Sequence, residues 1–109
     1  MSFVCLEVSM IDEIIRKIRE GLYEYSHHAV DQSIVRIISE KEVREAIEHG
    51  KIIEDYPDDK YGPSCLIYGR AVNGRPIHVQ CSYPSRPLIK IITIYEPDAA
   101  LWVDFEIRR

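Results

Sequence analysis

The sequence predicts an α+β fold in which N-terminal helices pack on one face of a roughly four-stranded antiparallel sheet. Two observations carry this reading. Apolar residues recur at helical spacing up to Gly50, and from Lys51 onward four runs rich in β-branched and aromatic residues are separated by turn residues. No repeat, low-complexity run or second domain interrupts that order, so the 109 residues read as one domain.

The first helix follows Ser9, a candidate N-cap, and stops near Gly21; Ile11, Ile14, Ile15, Ile18 and Leu22 form its apolar stripe. That stripe needs a partner, either the sheet of the same domain or another subunit, so residues 1–25 read as an N-terminal helix extension able to form a homodimer. Residues 23–26 make a connector, with Ser26 placed to cap a second helix carrying Ala29, Val30, Ile34, Ile37 and Ile38. On it, His28, Gln32 and Arg36 align on one polar face at steps of four. Ser39 and Glu42 form a capping box for a third helix, which buries Val43, Ala46 and Ile47 and ends at His49-Gly50.

Lys51–Tyr56 reads as the first strand and residues 57–63 as a loop. Ser64–Arg70 is the second, joined through Asn73-Gly74 to a hairpin whose strands are residues 76–83 and 88–96. If Asn73-Gly74 is the two-residue turn, Gly69 lies opposite His78; it either leaves room there for a ligand or marks a bulge. If Pro84-Ser85-Arg86-Pro87 closes the hairpin without a bulge, His78 faces Thr93, with Tyr95 one diagonal step away. One face then carries His78, Gln80, Ser82, Thr93 and Tyr95, and the other carries Ile77, Val79, Cys81, Ile92 and Ile94, a row that Lys90 interrupts. Residues 97–100 form a turn and residues 101–103 a short closing segment.

Composition narrows the function. No apolar run approaches the roughly 20 residues that cross a bilayer. The opening MSFVCLEVSM lacks the basic start of a signal peptide, so the cytoplasm is the expected compartment and no membrane partner is expected. Cys5, Cys65 and Cys81 have no metal or redox spacing and read as free buried thiols. His27 and His28 point about 100° apart on a helix and cannot share an ion as an i, i+4 pair would, so neither a metal nor another cofactor is expected. No phosphate loop, dinucleotide fingerprint or nucleophile elbow occurs. The net charge of −4 gives little general attraction for nucleic acid, so RNA binding needs a local patch, for which Arg70, Arg75 and Arg86 are the supply.

The chemistry-bearing set is therefore His78 with Thr93 and Tyr95 beside it, and His28 and Arg36 from the second helix. Imidazole for proton transfer, guanidinium for a developing phosphate anion and phenol for stacking or proton donation are the parts of a metal-independent ribonuclease. The same residues also fit a hydrogen-bonded strand histidine and a helix-terminal histidine.

The run His28-Ala29, Arg36, Ile38-Ser39, Val43, Gly50, Tyr56-Pro57-Asp58-Asp59, Leu66, Gly69, Arg75-Pro76-Ile77-His78-Val79 and Thr93-Ile94-Tyr95-Glu96-Pro97-Asp98 with Trp102 resembles the family known as domain of unknown function 4258, from about His27 to Trp102. The resemblance implies a fold similar to RelE/ParE-type toxins, residues 26–109 being the RelE-like core, and a zinc-finger antitoxin as partner. By carry-over it implies a site of His28, Arg36, His78, Thr93 and Tyr95. Two expectations follow. One is a toxin component or derived ribonuclease, with His78 as general acid or base, His28 as second proton carrier, Arg36 on the scissile phosphate, Tyr95 orienting a base, and Arg75, Gln80 and Arg70 binding RNA. The other is a non-catalytic protein-binding module of the same fold, which the acidic balance favours.

Overall fold

The computed structural model describes residues 9–109. Its elements run α1 (Met10–Arg19), β1 (Tyr23–Tyr25), α2 (His27–Val35), α3 (Glu40–Glu48), β2 (Lys51–Tyr56), β3 (Ser64–Arg70), β4 (Pro76–Ser82), β5 (Ile89–Tyr95), β6 (Trp102–Val103) and β7 (Ile107–Arg108). Each helix starts where its cap residue directs. Ser9, Ser26 and Ser39 side chains accept from the N–H groups of Asp12, Ala29 and Glu42, and Glu42 returns the bond to complete the capping box.

The sheet is five-stranded and mixed, in the order β1-β5-β4-β3-β2, rather than four-stranded and antiparallel. The fifth strand is Tyr23–Tyr25, expected to be a connector, which pairs in parallel with β5. Three residues carry too little alternation to signal a strand. A parallel partner distant in sequence leaves no local turn to reveal it.

Ile89, Ile91 and Ile94 of β5 are all fully buried, beside Ile77, Val79 and Cys81 of β4 and Cys65 and Ile67 of β3. Ile14 and Ile18 of α1, Ala29 of α2, and Val43, Ala46 and Ile47 of α3 complete this core. The apolar stripe of α1 is thus spent largely within its own chain. Cys65 and Cys81 are buried free thiols, register partners across β3 and β4; Cys5 and the opening segment lie outside the described residues. Among the described residues no helix is long and apolar enough to cross a membrane.

Two registers differ from the expectation. In β4–β5 an extra residue at Ile92 shifts the pairing, so that Cys81 faces Ile91, Gln80 faces Thr93 and His78 faces Tyr95. This β-bulge lets Ile91 and Ile94, three apart, share the buried face, and it explains why Lys90 seemed to interrupt an apolar row: the buried row is Ile89 and Ile91, not Ile92. In β3–β4 the ladder ends at Arg70 opposite Pro76, so residues 71–75 form the loop and Tyr68 faces His78. Asn73-Gly74 lies inside a longer loop, with Gly74 at φ 90°.

Gly69, expected to open space beside His78, lies instead on the helix face, where a Cβ would stand 1.8 Å from the Ala46 carbonyl oxygen. Its missing side chain lets α3 touch the sheet backbone. Gly69→Ala is expected to lower the unfolding free energy by about 3 kcal/mol, by overpacking against rigid backbone, as read by urea denaturation; a change below about 0.5 kcal/mol would contradict this packing.

Candidate functional site

The face of the sheet away from the helices carries Tyr68, His78, Gln80, Thr93 and Tyr95, and the β6–β7 hairpin folds back over part of it. His78 is 0% exposed. Tyr68 and Tyr95 flank it through strand register, and the Trp102 ring stands over it edge to face at 4.5 Å between centroids. Its Nε2 lies 2.6 Å from the Phe105 carbonyl oxygen and its Nδ1 3.0 Å from the Tyr95 hydroxyl. A carbonyl only accepts, so Nε2 carries the proton and Nδ1 accepts from Tyr95. Burial lowers the His78 pKa below 6.5, and the Phe105 bond opposes this only in part. Burial likewise raises that of Tyr95, opposed by the charges of Arg108 and Arg36.

Beside this pair, Arg108 donates from Nε to both oxygens of Glu54 at 2.9 and 3.2 Å, and the Tyr56 hydroxyl donates to the same carboxylate. Burial disfavours ionised Glu54, but these two donors outweigh it and hold its pKa below the usual value. Burial and the Glu54 contact push Tyr56 up to about 12. Gln80 donates to Ser64 Oγ at 3.1 Å, and Ser64 donates to Asp59 at 3.1 Å. Tyr56, Asp59, Gln80 and Arg108 line an open hollow of about 430 Å³. Among the described residues no group of three or more His, Cys, Asp or Glu is placed to hold a metal ion.

The structure joins some expected site residues by hydrogen bond or register and leaves others without a bond to them. His78 and Tyr95 are hydrogen-bonded, and Gln80 and Thr93 are register partners on the same face. His28 and Arg36 are exposed, at the start and C-cap of α2. Among the described residues neither side chain makes a hydrogen bond or ion pair, though the Arg36 charge is felt by Tyr95. Arg70 bonds the Gly74 carbonyl and lies 5.6 Å from the Phe105 ring centroid.

Arg75, expected to bind substrate, is a structural clamp. It donates to the Ile37 and Arg36 carbonyls at 2.7 and 3.0 Å, satisfying the end of α2, and pairs with Glu42 and Glu96. Glu54, Tyr56, Trp102, Phe105 and Arg108 were not foreseen in the site. The strand position of Glu54 and Tyr56 was a usable cue, whereas the Val103-Asp104-Phe105-Glu106 turn has no glycine to announce it.

An α+β domain in which a buried histidine, bonded to a half-buried tyrosine, lies under a hairpin of residues 102–108 is thus defined. The sequence model of a family described as a domain of unknown function (DUF4258) matches residues 25–96, and the chain belongs to that family. The match begins at the last residue of β1 and ends after β5, leaving α1 and the hairpin outside. No curated protein and no solved structure matches the chain.

Unfolded, His78 takes up its proton near pH 6.5; folded, it does so only at lower pH. Its contribution is therefore complete above about 6.5 and declines as pH falls below that value, because the unfolded chain binds the proton first. The urea midpoint should fall between neutral pH and about pH 5, and His78→Asn should fall less steeply. Arg75→Lys should cost about 2 kcal/mol of stability by losing the fork to the α2 carbonyls, measured by urea denaturation.

Proposed function

We propose that this chain is a non-catalytic protein-binding module of RelE-like fold that docks a partner through the exposed end of α2. The observation carrying this reading is that Ile34, Val35 and Ile37 are 71%, 80% and 79% exposed. With Val30 they form an apolar patch beside a surface hollow of about 320 Å³ lined by Ser33, Ile34, Ile37, Ile38, Ser39 and Glu42. Ile37 has φ 54°, a left-handed conformation costing a β-branched residue about 1–2 kcal/mol, and it keeps the side chain outside while Ile38 enters the core. The partner chemistry that fits is a ridge of apolar side chains. The sealed His78, with both ring nitrogens occupied, and the acidic balance also favour binding over RNA cleavage.

A ribonuclease of toxin type is the second reading. It is favoured by the assembled His78–Tyr95 pair and by the position of its cover, which lies outside the matched residues 25–96. Inducible bacterial expression separates the two, following growth and RNA integrity alongside a photo-crosslinker placed at Val35. Binding predicts intact RNA and one discrete adduct that disappears with Ile34→Asp and Ile37→Asp together. RNA fragmentation by wild type but not by an equally abundant, folded His78→Ala protein would overturn it.

A further inference from the structure

We propose that the β6–β7 hairpin is a detachable cap, opening as a unit to uncover His78 while the five-stranded sheet stays folded. This goes beyond docking at α2 and fails or survives independently of it. The cap has two residues in each strand, and a two-stranded piece of that size has little stability of its own. Its turn places Asp104 and Phe105 at φ 51° and 62°, both in the left-handed region that residues other than glycine disfavour. Leu101, Val103 and Ile107 face solvent. Trp102 is the buried anchor, and it packs on the face opposite the helices, outside the main core.

The remaining attachments lie near the surface, and they include the Phe105 ring beside Tyr68 at 6.1 Å between centroids and the Arg70 guanidinium 5.6 Å from that ring. Lys51 pairs with Glu106 at 2.6 Å, Arg108 pairs with Glu54 at 2.9 Å, and the Arg108 guanidinium lies 4.6 Å from the Trp102 ring centroid. Ion pairs whose cation is exposed, as Lys51 and Arg108 are, hold weakly. Directly to the cap, His78 makes one hydrogen bond, from Nε2 to the Phe105 carbonyl, and the edge-to-face contact with the Trp102 ring. Local opening at a lower free energy than global unfolding is what such sparse contacts produce. Lifting the cap removes the Nε2 partner and leaves an imidazole, still bonded to Tyr95, facing solvent beside Glu54 and Tyr68.

Trp102 is the single tryptophan, so its fluorescence reports the cap while far-UV circular dichroism reports the sheet and helices. In urea the Trp102 transition should precede the dichroism transition. In native buffer, diethyl pyrocarbonate, which acylates neutral imidazole, should label His78 far more slowly than exposed His27 and His28. The full-length double variant Lys51→Ala, Arg108→Ala should accelerate His78 labelling by roughly fivefold, with His27 and His28 unchanged and dichroism preserved. Coincident urea transitions in wild type, or an unchanged His78 rate in the folded double variant, would each overturn the proposal.

Discussion

The extra residue in β5 at Ile92 is the constraint on which both faces of the sheet depend. A regular strand through residues 89–95 would place Ile91 and Ile94 on opposite faces. The bulge restores them to one side, so three isoleucines of β5 are fully buried against the helices, each contributing about 1.5–3 kcal/mol. It also fixes the opposite face, bringing Tyr95 directly beside His78. The disturbed edge is sealed by α2: Ser26 Oγ donates to the Ile92 carbonyl at 2.9 Å, and Gln32 accepts from the Ile94 N–H at 2.8 Å. Polar side chains of α2 and its N-cap thereby take over edge pairing where β1 ends, leaving these two backbone groups satisfied.

The two sides of the sheet are held by different physics. On the helix side, contact is close enough that Gly50 and Gly69 admit the backbone of α3, and the core is dominated by branched aliphatic side chains. On the other side, polar groups are buried under a small cover and must find partners. His78 meets that requirement with Tyr95 and Phe105, and its preference for the neutral form follows from burial. A histidine so enclosed helps to hold the cover in place, and in the covered state it serves as a structural group.

Arg75 shows how an apparently functional cation is absorbed into structure. Its guanidinium gathers the carbonyl end of α2, the capping glutamate of α3 and Glu96 after β5, tying three segments at one point. That clamp holds the strained turn at Ile37, which directs Ile38 inward and Ile37 outward. The exposed apolar end of α2 is thus a consequence of how the helix is terminated, and it is the surface on which the docking reading rests.

The sequence by itself determined the α+β class, the three helix starts, the four meander strands and the residues sharing a face with His78. These depend on local chemistry: a serine oxygen two or three residues from free N–H groups, and side-chain alternation of period two. Even a register wrong by two preserved parity, which is why Gln80, Thr93 and Tyr95 were placed with His78 correctly. Only the tertiary structure decided that Tyr23–Tyr25 is a parallel strand, that β5 carries a bulge, that Gly69 serves α3, that neither His28 nor Arg36 is bonded to His78, and that residues 102–108 seal the histidine. Each of these depends on which surfaces meet after distant segments are brought together, and no local pattern of residues encodes that meeting.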